Sequence, residues 1–172
     1  GAKPVLVDCN LDTWTMNTDE IEAKITKKTK AIMVVHIYGH PVDMQSIAEL
    51  AEKYNLYVIE DAAEAHGAKY KKEKCGGLSD ISILSFYANK LVTTGEGGMA
   101  LTNNPDLYKV MNRLRSHGIT RNKKEMVFKQ KGPWYYEQQN LGFNYRITDI
   151  QAALGLSQLK RINQFVKKRN NI

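Results

Sequence analysis

The stretch around which the sequence is organised is SFYANKLVTTGEGG, residues 85–98. It follows the apolar run 81–84, which is typical of a buried strand, and it soon becomes polar and rich in glycine. Lys90 therefore comes just after a core strand, with an apolar wall behind it. Such surroundings leave more of a lysine amine neutral and able to attack a carbonyl group. With 25 Lys and Arg residues in the chain, any single lysine is more typical of a surface turn. The neighbours of Lys90 must therefore decide its role.

Composition restricts the class of protein. A chain of 172 residues, 42% hydrophobic and 25% charged, has the composition of an ordinary globular domain. No apolar run is long enough to cross a bilayer, and the N-terminus lacks the pattern of a signal peptide. Cys9 and Cys75 are far apart and form no CxxC motif, so the sequence predicts neither a disulfide framework nor a metal site. We expect a cytoplasmic protein without a membrane partner.

The formal net charge of +7 invites comparison with nucleic-acid-binding proteins. The lysines, however, are spread over several predicted helix faces and loops, and they do not form one tract with interleaved aromatic residues. This distribution favours solvated surfaces over a nucleic-acid site. A basic surface also attracts small molecules that carry phosphate.

Strand-like and helix-like segments alternate along the chain. The predicted strands are residues 4–8, 30–38, 56–59, 81–85 and 98–102. Predicted helices begin after Asn17, whose partner in a capping box is Glu20, and after Asp43, Asn104 and Thr148. The helix after Asn104 has a predicted buried stripe, and the helix after Thr148 is predicted to run as one long element to Val166. The alternation predicts an α/β fold with a mostly parallel sheet and helices on both faces.

Ligands of such sheets bind at the carboxyl ends of the strands. Asp61 and Lys90 both follow predicted strands, and Ser85 closes one of them. A carboxylate, an amine and a hydroxyl at one sheet edge match the needs of pyridoxal 5′-phosphate. The amine binds the aldehyde of the cofactor, the acid keeps its ring nitrogen protonated, and the hydroxyl contacts its phosphate. Asp61 alone is more typical of a helix cap or a turn.

Three motifs in order identify a family. Residues 60–68 (EDAAEAHGA), 85–98 and 141–153 (LGFNYRITDIQAA) resemble the DegT/StrS-type nucleotide-sugar aminotransferases, which are fold-type I pyridoxal-phosphate enzymes. The resemblance covers nearly the whole chain and implies the large-domain fold of that group. Residues 14–16, 31–44 and 63–66 are most similar to the GDP-perosamine synthase branch, whereas 116–121 and 134–137 look more like transaminases of 4-keto-6-deoxy-N-acetylhexosamines. The implied reaction transfers an amino group from glutamate to C4 of a nucleotide-linked 4-keto-6-deoxy sugar, GDP-linked or, alternatively, UDP-linked.

The resemblance also assigns roles to individual residues. Lys90 becomes the Schiff-base lysine and the carrier of a proton between the substrate carbon and the cofactor, and Asp61 becomes the partner of the pyridinium nitrogen. Ser85 binds the cofactor phosphate. Asn144 reaches the cofactor of the neighbouring subunit, because these enzymes build shared sites in a homodimer. Arg146 is a candidate for the carboxylate of the amino donor, with a structural salt bridge as the alternative.

Glu64 departs from the family pattern. Most members have Gln or His there, beside the phenolic oxygen of the cofactor, and a carboxylate repels that oxygen unless one of the two holds a proton. We interpret Glu64 as a cofactor-binding residue and a mark of substrate specificity. His36 and His66 are interpreted as packing residues, or as residues that support the site indirectly.

The chain is also shorter than the family pattern. An N-terminal glycine/threonine turn that holds the cofactor phosphate and a C-terminal small domain have no counterpart in residues 1–172, which resemble the central part of the large domain. We therefore expect this segment alone to bind the cofactor weakly and not to turn over. Two other hypotheses are a sugar 3-dehydratase and a catalytically inactive relative that acts as a binding module. Dehydratases of this group replace the lysine with histidine, so Lys90 argues against the first.

Overall fold

The computed structural model describes residues 1–172 and separates them into two units. The first unit contains residues 1–103 and 149–172, and the second contains residues 104–148. None of the helices combines the length and the apolar character that a membrane span requires. Both units mix helices with strands, and the first unit contains the main sheet.

The helices and strands are numbered in chain order. The helices are α1 Ile21–Lys24, α2 Met44–Tyr54, α3 Pro105–Leu114, α4 Asp149–Leu159 and α5 Ile162–Arg169. The strands are β1 Ala31–Val35, β2 Tyr57–Asp61, β3 Lys69–Tyr70, β4 Glu73–Lys74, β5 Ile81–Ser85, β6 Gly98–Leu101, β7 Ile119–Thr120 and β8 Glu137–Gln138. Short 3₁₀ helices occur at Thr18–Glu20, Ile37–Gly39 and Lys123–Glu125.

The main sheet has the strand order β1-β2-β5-β6. Strands β1, β2 and β5 run parallel, and β6 pairs with β5 in the antiparallel sense. The predicted α/β fold with a mostly parallel sheet is therefore confirmed. The carboxyl ends of the three parallel strands meet at one edge, which is the edge where the sequence places the candidate site.

The two faces of this sheet differ in their cover, although a near-continuous apolar run such as residues 30–38 is typical of a strand that is covered on both faces. Ile32 and Val34 are buried against α2, whose Ile47 is fully buried. On the opposite face, Met33 is 52% exposed and Tyr57 is 64% exposed. Adjacent strand residues point to opposite faces, and α2 packs on one face alone, so the apolar run becomes an alternation of buried and exposed residues.

Helix boundaries follow side-chain caps. Asp43 accepts a hydrogen bond from Gln45 N–H at the start of α2, and Asn104 accepts from Asp106 N–H at the start of α3. Asn17 caps the 3₁₀ turn that precedes α1, where it accepts from Asp19 N–H. These predicted helix starts are confirmed. The predicted buried stripe of α3 is wrong, because no residue of that helix is buried.

Three other predictions about elements are wrong. Residues 4–8 form no strand, and an isolated bridge between Cys9 and Met16 is the ladder contact nearest to them. Strand β1 ends at Val35, because the chain enters the 3₁₀ turn Ile37–Gly39 with Tyr38 at φ 50°. The long final helix is two helices, α4 and α5, separated at residues 160–161.

The second unit consists of α3, the pair β7–β8 and connecting loops. Glu125 accepts hydrogen bonds from Arg113 (2.6 Å) and Thr120 (2.9 Å) and forms an ion pair with Lys109 (2.9 Å). Lys109, followed by the other two partners, lowers the pKa of Glu125 to about 2. Gly118 has φ 70°, and a Cβ there would clash with the carbonyl oxygen of Asn140, so this close backbone approach requires glycine.

Candidate active site

Strand alternation separates two acids that are adjacent in sequence. Asp61 is paired with Ile83 in the register of β2 and β5, so Asp61, Ile83 and Ser85 point to the same face of the sheet. Glu60 points to the opposite face, where it is fully buried. The sheet therefore presents one carboxylate and one hydroxyl on the same side at its carboxyl edge.

The backbone fixes both of these side chains. Asp61 is half-buried at the end of β2, and its Oδ1 accepts a hydrogen bond from Ala63 N–H at 3.0 Å. Ser85 Oγ accepts from Tyr87 N–H at 3.3 Å. The hydroxyl hydrogen of Ser85 is then available as a donor to an anion.

Lys90 is presented by a closed loop between β5 and β6. Its backbone N–H bonds Tyr87 O at 3.0 Å, and the loop is closed where Thr94 N–H bonds Phe86 O at 2.9 Å. The side chain of Gln158, on α4, bonds the backbone of Thr93. Its Oε1 accepts from Thr93 N–H at 3.1 Å, and its Nε2 donates to the Thr93 carbonyl at 2.9 Å. The Lys90 side chain is 17% exposed, so its ammonium group does not lie in open solvent.

Glu64 is the direct partner of Lys90. Its Oε1 lies 3.1 Å from Lys90 Nζ, and its Oε2 accepts a hydrogen bond from Tyr38 N–H at 2.9 Å. The hydrogen bond from Tyr38, followed by that from Lys90, lowers the pKa of Glu64. Glu64 is therefore a carboxylate at neutral pH and balances the charge of the lysine.

His36, Glu60 and Cys75 form a buried cluster whose joint role sequence reasoning missed. His36 Nε2 lies 2.9 Å from Glu60 Oε1, and both side chains are fully buried. Glu60 also accepts hydrogen bonds from Gly76 N–H, Leu78 N–H and Ser79 Oγ. Burial alone would raise the pKa of Glu60, but the bonds from His36, Gly76 and Leu78 outweigh it and the pKa is lowered. The signal in the sequence was a glutamate at a core-facing position of a buried strand.

This cluster has the residue types of a metal site, since its three potential ligand atoms lie within 4.8 Å of one another. The hydrogen bonds, however, favour a structural network. His36 Nδ1 accepts from Val42 N–H at 3.2 Å, so Nε2 carries the hydrogen that is donated to Glu60 and has no lone pair for a metal. Burial, followed by the charge of Glu60, raises the pKa of Cys75 to about 11, which keeps the thiol protonated.

Asn144 and Arg146 belong to the second unit. Asn144 is exposed and forms an isolated antiparallel bridge with Ser116. Arg146 is exposed and takes part in none of the ion pairs of the chain, so the alternative of a structural salt bridge has no support within this chain. Of the predicted site residues, Asp61, Glu64, Ser85 and Lys90 are those that the first unit carries at or beside its sheet edge.

Comparison with known proteins shows the fold and the family of the chain. An aminotransferase from Psychrobacter cryohalolentis superimposes with a TM-score of 0.85 and 42% identity, over 94% of this chain and 41% of that one. The chain therefore shares the α/β fold of the matching part of that aminotransferase. The sequence matches the DegT/DnrJ/EryC1/StrS aminotransferase family over residues 1–172, and the chain belongs to this family.

Two curated relatives are similar to this chain over its whole length. The GDP-perosamine synthase of Escherichia coli O157:H7 is 47% identical over 172 residues, which are 100% of this chain and 44% of the relative. A UDP-4-amino-4,6-dideoxy-N-acetyl-beta-L-altrosamine transaminase of Campylobacter jejuni (strain 81-176) is 39% identical over 175 aligned residues, which are 100% of this chain and 44% of the relative. The chain therefore spans less than half the length of the curated relatives it matches.

Proposed function

We propose that residues 1–172 form the cofactor-holding part of a pyridoxal-phosphate-dependent aminotransferase. The protein would transfer an amino group from glutamate to C4 of a GDP-linked 4-keto-6-deoxy sugar. The observation that carries the proposal is Lys90, a largely buried amine that is ion-paired with Glu64 beside the carboxyl edge of the sheet. Family membership supports the same reaction type.

The residues at this edge fit the cofactor by their chemistry. Lys90 supplies the amine for its aldehyde, Asp61 an anion for its ring nitrogen, and Ser85 a hydroxyl hydrogen for its phosphate. When bound, pyridoxal phosphate supplies an electron-withdrawing ring that stabilises negative charge at the carbon that loses a proton. The carboxylate of Asp61 would hold the proton on the ring nitrogen, and Lys90 would move protons at the reacting carbon.

Three further residues have proposed roles. Glu64 would lie beside the cofactor, because its contact with Lys90 Nζ places its carboxylate next to the amine that would bind the cofactor. Asn144 would contact the cofactor of a partner subunit in a homodimer, and Arg146, whose planar fork suits two carboxylate oxygens, would bind the amino donor. The exposure of both residues of the second unit supports roles towards other molecules. A cytoplasmic location remains the predicted compartment.

The nucleotide has one specific alternative. The GDP-perosamine synthase of Escherichia coli O157:H7 is more similar to this chain than the UDP-sugar transaminase of Campylobacter jejuni, 47% against 39% identity. This difference supports a GDP-linked substrate. A UDP-linked 4-keto-6-deoxy-N-acetylhexosamine is the second candidate, which the relative from Campylobacter jejuni favours.

The experiment is a covalent trapping assay on the full-length protein that contains residues 1–172. Incubation with pyridoxal phosphate followed by borohydride reduction should leave a pyridoxyl group on Lys90, which peptide mass spectrometry would locate. Lys90→Ala should abolish the adduct and all amino transfer, whereas Lys72→Ala, at an exposed position, should change neither. An adduct spread over exposed lysines with Lys90 unmodified would refute the proposal. Glutamate with a panel of GDP- and UDP-linked 4-keto sugars would then distinguish the two substrates.

A further inference from the structure

His66 is a buried histidine with a defined tautomer. Its side chain is part of a residue that is 7% exposed, and its Nδ1 accepts a hydrogen bond from Val92 N–H at 3.2 Å. Because an accepting ring nitrogen carries no hydrogen, the hydrogen of the neutral ring is on Nε2. Nε2 is buried and has no hydrogen-bond partner. The backbone of Ser85 opposes the lowering of the His66 pKa that is described below.

His66 contacts both ends of the loop that presents Lys90. At one end its ring packs at a tilt on Phe86, with 5.7 Å between the ring centroids. At the other end it holds Val92, which is 2% exposed. Lys90 lies between these two contacts in the sequence, so the imidazole connects the segments that precede and follow it.

The charge state of His66 matters because Lys90 is its charged neighbour. Burial, followed by the charge of Lys90, lowers the pKa of His66. Phe86, whose ring packs on His66, and Val92, whose amide bonds it, do not titrate. A protonated His66 would add a second cation beside Lys90, and its Nδ1 would become a donor facing the donor of Val92.

We propose that neutral His66 is a positioning residue that holds the loop Phe86–Val92 so that Lys90 is presented to the cofactor. This role rests on the proposed function, because it acts through Lys90 and not on the substrate. A residue that merely filled space would need the ring but not the acceptor nitrogen. The proposal therefore predicts that the hydrogen bond to Val92, and not the aromatic volume alone, controls the loop.

Two variants separate these features. His66→Asn keeps an acceptor near the place of Nδ1, removes the ring and does not titrate, whereas His66→Phe keeps the ring and removes the acceptor. The exposed His40 provides the matched control, His40→Asn. The first readout is hydrogen exchange of the Val92 amide in the cofactor-free protein, corrected for the intrinsic effect of pH. The second readout is the rate at which a small amine-reactive reagent acylates Lys90, relative to the rate at the exposed Lys72.

At pH 7.5 we expect at least about tenfold faster exchange of the Val92 amide in His66→Phe, and faster acylation of Lys90, with His66→Asn and His40→Asn close to the native protein. Because the pKa of His66 lies below its ordinary value of 6.5, the native protein should lose protection only as the pH falls below that value and His66 takes up a proton, and His66→Asn should show no such loss. Val92 protection in a folded His66→Phe equal to that of the native protein, or the same acid loss in His66→Asn, would overturn the proposal. If His66→Phe fails to fold, the comparison of the native protein with His66→Asn still decides. Trapping of pyridoxal phosphate on native Lys90 tests the proposed function separately.

Discussion

Glu64 Oε1 lies 3.1 Å from Lys90 Nζ, although the two residues are 26 positions apart in the sequence. The contact joins the loop after β2 to the loop after β5, which are two of the loops at the carboxyl edge of the sheet. Tyr38 N–H, from the segment after β1, binds the other oxygen of the same carboxylate. Glu64 thus connects the ends of all three parallel strands around one amine.

Replacing Glu64 with Gln should speed the reaction of Lys90 with the aldehyde of pyridoxal phosphate. The amine loses the carboxylate with which it is ion-paired and becomes freer to react, and a partly exposed ion pair contributes about 0.2–1 kcal/mol, which corresponds to roughly a 1.4- to fivefold change in rate. Stopped-flow absorbance of cofactor capture at neutral pH would measure it. Glu73→Gln, at an exposed position, is the control, and a slower or unchanged capture in Glu64→Gln would contradict the expectation.

Replacing Asp61 with Asn should separate binding of the cofactor from its chemistry. The amide oxygen of Asn can still accept the hydrogen bond from Ala63 N–H, but it cannot hold a proton on the ring nitrogen. We expect pyridoxal phosphate to be captured on Lys90 while single-turnover amino transfer falls by at least about 100-fold. Exposed Asp12→Asn should behave as the native protein. Transfer within a few fold of native in Asp61→Asn would show that this acid has another role.

Replacing Glu60 with Gln should destabilise the fold. The amide puts a donor where a buried carboxylate accepts four hydrogen bonds, and the loss of a hydrogen bond to a charged group costs about 1.5–3 kcal/mol in the free energy of unfolding. Urea denaturation would measure it, with Glu52→Gln on the exposed side of α2 expected to change stability by less than about 0.5 kcal/mol. If Glu60→Gln lowered the free energy of unfolding no more than the control does, the hydrogen bonds around Glu60 would not contribute to stability.

The same residue predicts a pH dependence. The pKa of Glu60 is lower in the folded state than its ordinary value, so the unfolded chain binds more protons on acidification. The stability that Glu60 contributes is therefore complete above the ordinary pKa of about 4.5 and is lost as the pH falls through the folded value. Denaturation midpoints between pH 6 and pH 3 should fall more steeply for the native protein than for Glu60→Gln; parallel curves would contradict this.

The two cysteines should differ in reactivity. Cys75 is buried with a pKa of about 11, so at pH 8 roughly one molecule in a thousand carries the thiolate, whereas Cys9 is exposed. We expect iodoacetamide to alkylate Cys9 at least about 100-fold faster in the folded protein, as measured by peptide mass spectrometry. Both residues should react in denaturant, and rapid labelling of Cys75 without denaturant would show that the cluster around Glu60 opens readily.

The sequence was sufficient for the order of the main elements and for the residues at the sheet edge. Capping residues such as Asp43 act locally, so α2 could be placed from sequence alone. Asp61, Ser85 and Lys90 were identified because parallel strands end at one edge and because their motifs resemble a family. The match of the whole chain to that family confirms the resemblance.

Other features depend on contacts between distant segments, which periodicity does not report. The run of apolar residues 4–8 forms no strand because a strand requires a partner ladder, and the nearest pairing is the bridge from Cys9 to Met16. The burial of Glu60 could have been anticipated from alternation in β2, since Asp61 was assigned to the ligand. Its partners, however, come from loops that only the folded chain brings together.

The uncovered side of the sheet has a consequence for how the protein behaves in water. Met33, Val35 and Tyr57 expose apolar surface on that side, and large exposed apolar patches promote association. Asp61 and Ser85 project from the same side, at its rim. A polypeptide that covered these apolar residues would therefore also enclose the proposed cofactor site. Resistance to aggregation and retention of pyridoxal phosphate should then increase together.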